Sequence, residues 1–202
     1  MKRMARAVFA VSAAFGALLA SASPAAPVDA FKSALGRSLD ADASWTMVKS
    51  FGDSPLRFRF EGMVSCAAGK GVVWSMERPL RSRIVMSERG MEFSGDGKGR
   101  RKVDPGELPH YLEIRQAIDG FLSGGEMSLG KIFDMSCGES HGKWRVELVP
   151  RRFDMRGVIK SVSVSGAETI ENVEFRYASG ENAKIEFREI ARGARSLWKD
   201  LE

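Results

Sequence analysis

Two histidines and two cysteines are the residues of this 202-residue chain best suited to chemistry, and their spacing limits what that chemistry can be. His141 follows Ser140 directly in Gly138-Glu139-Ser140-His141-Gly142. Adjacent residues are not the arrangement from which a serine–histidine–carboxylate relay is recognised. A hydrolase would need Ser140, His141 or His110 to meet a carboxylate in a cleft, and no recognised spacing provides for that. His141 therefore reads as a solvated turn residue. Cys137-x-x-x-His141 could offer a metal two ligands, but no second pair stands at ligand spacing. Gly95-x-Gly-x-Gly opens no helix, so it does not read as a phosphate loop. These observations favour a protein without catalytic residues, metal or cofactor.

The cysteines carry a second question. An amino-terminal leader is expected over residues 1–22: Lys2, Arg3 and Arg6, then apolar Ala7–Ala20, then the small-x-small site Ala20-Ser21-Ala22. The apolar run is shorter than the ~18 residues of a membrane span. The chain is thus expected to be exported and soluble after cleavage, in a bacterial periplasm. Two cysteines in an exported protein read first as a disulfide, here Cys66–Cys137. It would close a loop of about 70 residues and contribute roughly 4 kcal/mol in the chain-entropy model. The competing reading is two buried free thiols, because Cys66 is in phase with Phe58 and Phe60.

Charge excludes little else. The whole chain has 31 basic and 26 acidic residues, and the leader holds three of the basic ones. The mature chain is nearly neutral, without the clustered basic face that nucleic acid demands. Lys98–Lys102 and Arg151-Arg152 read as solvated loop charge.

The elements that would position an apolar site are clearer. From Leu56 to Cys66, Leu56, Phe58, Phe60, Gly62, Val64 and Cys66 alternate with polar neighbours, the period of a half-buried strand. Ala67–Gly71 turns the chain. Val72–Met76 returns with Val72, Trp74 and Met76 on one side, and Arg78-Pro79 ends it. Ser82–Ser87 and Met91–Phe93 follow as further strands, with Arg100–Val103 a short fifth segment. Before this meander, Val28–Leu39 reads as a helix and Ser44–Phe51 as a strand. After it, Glu107–Leu122 has the three–four spacing of an amphipathic helix, closed by Ser123-Gly124-Gly125. Ser128–Phe133 reads as a short turn, Pro150–Met155 as a loop, and Lys143–Val149, Val158–Ser165, Thr169–Tyr177 and Ala183–Phe187 as strands. Ile190–Leu201 reads as short and polar, a helix if regular at all, and not as a strand. Nine to eleven strands without βαβ alternation imply a mainly β (α+β), strongly curved antiparallel sheet with helices on its concave side.

This order of elements resembles the LolA-like periplasmic carriers of outer-membrane lipoproteins. The residues that carry the resemblance are Gly69-Lys-Gly-Val-Val-Trp74, Arg78-Pro79, Leu129-x-x-x-Phe133, Lys143–Pro150 and Gly180–Phe187. It covers nearly the whole mature chain and implies one carrier domain over 23–202, an incomplete β-barrel covered by helices. It further implies that acyl chains occupy a hydrophobic cavity between sheet and helices, that an inner-membrane releasing transporter supplies the cargo, and that an outer-membrane acceptor takes it. The expected cavity wall is Phe58, Phe60, Trp74, Met76, Ile84, Met86 and Met91. Leu112, Ile118 and Phe121 would form the lid helix. Arg78 would be the residue that latches the lid. In the family that arginine stands three residues after the tryptophan and here it stands four, a shift that reverses facing unless a bulge absorbs it. Taken singly, each wall residue also fits ordinary core. A monomer is expected, and the charge balance points to no nucleic acid partner. The alternative function is an envelope sensor or regulatory lipid-binding module of the same fold.

Overall fold

The computed structural model describes residues 25–67, 69–95, 98–104, 107, 127–192 and 196–198. The leader, His110, and all of the expected middle helix except Glu107 lie outside the described residues. So do its three lid positions, Leu112, Ile118 and Phe121.

Alternating residues build eleven strands: β1 (Ala41–Phe51), β2 (Arg57–Ala67), β3 (Gly71–Arg78), β4 (Ser82–Ser87), β5 (Gly90–Gly95), β6 (Lys98–Val103), β7 (Phe133–Ser140), β8 (Lys143–Pro150), β9 (Ile159–Gly166), β10 (Ile170–Tyr177) and β11 (Glu181–Arg192). They form one open antiparallel sheet in the order β6-β5-β4-β3-β2-β1-β11-β10-β9-β8-β7. Two meanders, β1 to β6 and β7 to β11, meet where β1 pairs with β11 along its whole length. The connection from β6 to β7 therefore joins one edge of the sheet to the other.

Cross-strand partners share a face, so the register traces one face from edge to edge. Cys137 pairs with Val146, Val146 with Val164, Val164 with Val173 and Val173 with Ile185. Ile185 then pairs with Met47, and Met47 with Phe60. Val64 lies on the same side of β2 as Phe60; it pairs with Trp74, Trp74 with Ile84 and Ile84 with Phe93. The opposite face is polar along the parallel track of Glu147, Ser163, Glu174, Lys184 and, after Val48, Arg59.

Helix α1 (Ala25–Ser38) covers the β7–β10 end of the apolar face. Phe31 and Ala34 are buried against Trp144, Val146, Leu148 and Val164, with Val28 and Leu35 alongside, so the buried positions recur at i, i+3, i+6 and i+7, one face of an amphipathic helix. The Phe31 and Trp144 rings lie 5.5 Å apart. The end of α1 is tied down where Ser38 Oγ accepts from the Ile170 amide at 3.0 Å. A one-turn helix α2 (Met127–Gly130) places Leu129 beside this core.

The structure corrects several expected boundaries. Within the expected loop Pro150–Met155, Phe153–Arg156 forms a one-turn helix, α3, because Met155 drops into the core under β8 and β9. The final strand does not stop at Phe187. It runs on to Arg192, since β1 begins at Ala41 and offers partners that far. Beyond it, Trp198 returns to the polar face, where it packs on Ala67, Val73 and Val85. Trp198 Nε1 donates to the Ser65 carbonyl at 3.2 Å, and the Ser196 amide donates to buried Asp42 at 2.9 Å. The expected Cys66–Cys137 bond is absent: both thiols are free. Cys66 is on β2 and Cys137 on the edge strand β7, six places away in the sheet, far beyond the ~6 Å Cα separation a disulfide needs.

Candidate ligand-binding face

The residues expected to form a cavity wall all lie on the apolar face. Phe58 pairs with Lys49, Phe60 with Met47, Met76 with Gly62, Trp74 with Ile84, and Met86 with both Val72 and Met91. Burial falls from one end of this face to the other. Under α1, Trp144, Val146, Leu148 and Val164 are all buried, whereas Trp74, Met76, Ile84, Met86, Met91 and Phe93 are half-buried and Phe58 is 50% exposed. Large apolar side chains left partly open on one contiguous surface mark a binding face more than a filled interior.

Its centre was not among the expected wall residues. Trp45 of β1 is 3% exposed and stacks on Trp74 of β3 with ring centroids 4.7 Å apart. The two rings come from strands on either side of β2, where Gly62 pairs with both Trp45 and Met76. Glycine leaves the room for the stack, and it also lets the backbones close up. A Cβ at Gly62 would sit 1.9 Å from the Ser75 carbonyl oxygen. Trp74 further meets the edge of Phe187 on β11 at 5.9 Å. Three strand spacings of a flat sheet amount to about 14 Å, so ring contact over that span reports strong curvature with the apolar face inside. Met47, Phe175 and Phe187 join the same cluster. Each shows the usual strand alternation, but β10 and β11 are far from β2 and β3 in sequence, and only the strand order brings Phe175 and Phe187 in.

One end of the face turns polar. Lys49, opposite Phe58, lies 5.2 Å from the Phe51 ring and 5.8 Å from the Tyr177 ring, and it is ion-paired with Glu181. At the rim of β3–β5, an open groove of about 590 Å³ is lined by Arg78, Arg81 and Arg83 with Ser75, Ser82 and Ser94.

Arg78 itself sits on the polar face. The β2–β3 register shifts so that Glu61 pairs with Arg78 while Gly62 pairs with Met76, leaving Glu77 as the extra residue of a bulge. The bulge turns Arg78 away from the side of Trp74 and Met76, and its guanidinium pairs with the Glu61 carboxylate. Arg59 also bonds Glu61, at 2.7 Å. The hydrogen bond from Arg59, joined by the charge of Arg78, holds that carboxyl below its ordinary range.

The chemically capable residues are dispersed. His141 and Gly142 have φ of 55° and 72° and form the two-residue turn between β7 and β8. Ser140 Oγ and His141 Nδ1 are 2.8 Å apart on this exposed turn. Burial, with the charge of Asp42 second, raises the Cys66 thiol to about 11, and burial raises Cys137 as well. No cluster of three or more metal-ligating side chains occurs among the described residues. Among the same residues no helix is long and apolar enough to cross a membrane.

No protein-family model matches the chain, and no curated protein matches it. Solved structures do. A LolA superfamily protein from Nitrosomonas europaea is similar over 83% of this chain and 92% of its own, at 8% identity and a TM-score of 0.44. The MucA/MucB complex of Pseudomonas aeruginosa matches over 85% of this chain and 59% of that one, at 12% identity and a TM-score of 0.44. A Vibrio parahaemolyticus domain provisionally assigned to outer membrane lipoprotein sorting matches over 86% of this chain and 97% of its own, at 10% identity and a TM-score of 0.41.

Proposed function

We propose that this protein is a non-catalytic periplasmic carrier that binds the acyl chains of lipoproteins, or of another acylated lipid, on the concave apolar face of its sheet and ferries them towards the outer membrane. The observation that carries this reading is the unbroken apolar face, which is buried beneath α1 at one end and half-open from Trp74 to Phe93 at the other. The sequence resemblance to LolA-like carriers supports it. The physics fits: a buried methylene contributes about 0.8 kcal/mol, so a long acyl chain offers roughly 10 kcal/mol at most, reduced by the losses of association. A carrier must also release its cargo. Flexible methionines such as Met76, Met86 and Met91 adapt to a chain without gripping one shape. Residues 1–22 would direct export, and the inner-membrane transporter and outer-membrane acceptor are the partners this role requires.

Native mass spectrometry of periplasmic protein purified without detergent, with lipid extraction in parallel, tests the proposal. Bound lipoprotein or acylated lipid is expected. An empty protein that also refuses a fluorescent acyl probe would reduce the apolar face to core. Recovery of an envelope protein with no lipid would favour the sensor alternative.

A further inference from the structure

Three tryptophans of this chain are buried, and they differ in one respect. Trp144 Nε1 donates to the Ala167 carbonyl at 2.7 Å, and Trp198 Nε1 to the Ser65 carbonyl at 3.2 Å. Trp45, 3% exposed, has no hydrogen-bond partner for its Nε1 among the described residues. Its surroundings explain why. It belongs to an apolar cluster with Met47, Phe60, Val64, Trp74, Ile185 and Phe187, and none of these side chains carries an oxygen acceptor. Neighbouring strands flank β1 on both sides and their carbonyls are committed to the ladder. The stack on Trp74 holds the ring in place, so the donor is fixed as well as unsatisfied. A buried N–H with nothing to bond costs free energy that phenylalanine in the same place would avoid.

We infer that the Trp45 N–H receives the carbonyl oxygen of an acyl ester. The ligand chain then lies along the half-open part of the face, from Phe60 and Met76 towards Ile84 and Met91, with its ester end at the centre of the sheet. This rests on the acyl-binding reading and sharpens it: the site takes chains joined through a carbonyl in preference to alkyl ethers of the same length. An ether oxygen is a poorer acceptor and takes the place of the ester's alkoxy oxygen, two bonds away from the carbonyl oxygen.

The test compares 1-palmitoyl-lysophosphatidylcholine with its 1-O-hexadecyl ether counterpart, which share chain length and headgroup. Binding to the full mature protein is measured by titration calorimetry below micelle-forming concentrations. The wild type is expected to prefer the ester by about five- to tenfold, the worth of one neutral hydrogen bond. Trp45→Phe is expected to bring the ester-to-ether affinity ratio to about one, any change in absolute affinity being shared by both lipids. Equal binding of both lipids by the wild type overturns the inference while leaving the carrier reading intact, as does a preference that persists in Trp45→Phe. Failure to bind either lipid overturns both. Should Trp45→Phe not fold, infrared spectroscopy of ¹³C-ester lipid on the wild type decides: a hydrogen-bonded carbonyl band is expected, and a band at its dry apolar frequency refutes the inference.

Discussion

At Glu61 two arginines share one carboxylate, and the consequence depends on pH. The carboxyl is held below its ordinary value in the folded protein, chiefly by the Arg59 hydrogen bond. Its contribution to stability is therefore complete above the unfolded carboxyl range and fades as pH falls through the lowered value. The urea midpoint of the wild type should exceed that of Glu61→Gln by a small, constant margin near neutrality, and the margin should vanish in acid. Exposed pairs contribute little, so Arg78→Leu should unfold at nearly the wild-type temperature. Since Arg78 lies on the polar face, the same variant should release an acyl probe at the wild-type rate; slower release would identify Arg78 as the latch. Cys66 gives a second residue-level prediction. With its thiol raised to about 11 and buried, it should resist alkylation at pH 8 in the native protein and react once unfolded, while the less buried Cys137 reacts sooner. Intact mass after purification in air should correspond to two free thiols.

At the scale of elements, the C-terminal return onto the polar face is the contact most open to test. Trp198 is 9% exposed over Ala67 and Val73, so Trp198→Ala should cost about 3–5 kcal/mol in urea unfolding. Lipid affinity should be unchanged, because this contact lies across the sheet from the apolar face. Gly62→Val should be worse, as its side chain must displace the Ser75 backbone and the Trp45–Trp74 stack together; loss of the cooperative transition is expected. These two positions also mark what could and could not be read from residues alone. Alternation in Leu56–Cys66 and Val72–Met76 placed the strands and faced Phe60, Trp74 and Met76 correctly, because period two is local. Trp45 alternates just as plainly and reaches Trp74 across β2, whereas Phe187 meets Trp74 only because β11 pairs with β1, a contact between distant parts of the chain. Two cysteines in an exported chain suggested a bond, but pairing depends on distance, and strand order kept them apart. Ile190–Leu201 reads as short and polar, helical if regular at all, yet its first residues continue β11 to Arg192 because β1 supplies partners there.

For the whole molecule, its four tryptophans report on three places. Trp45 and Trp74 lie at the centre of the apolar face, Trp144 beneath α1, and Trp198 on the polar face. An acyl chain brominated along its length should quench Trp74 strongly and Trp198 hardly at all, measured in variants that keep one tryptophan each. Equal quenching of the two would mean that the lipid binds elsewhere. The sheet that holds these reporters never closes on itself. In a closed barrel, strand number and stagger dictate the bore, and a guest either fits or does not. Eleven strands with two loose ends behave like a leaf spring, whose radius is set by how tightly it is coiled around its contents. Affinity measured from twelve-carbon to eighteen-carbon chains should then climb smoothly, without the sharp cut-off at one length that a rigid cup imposes.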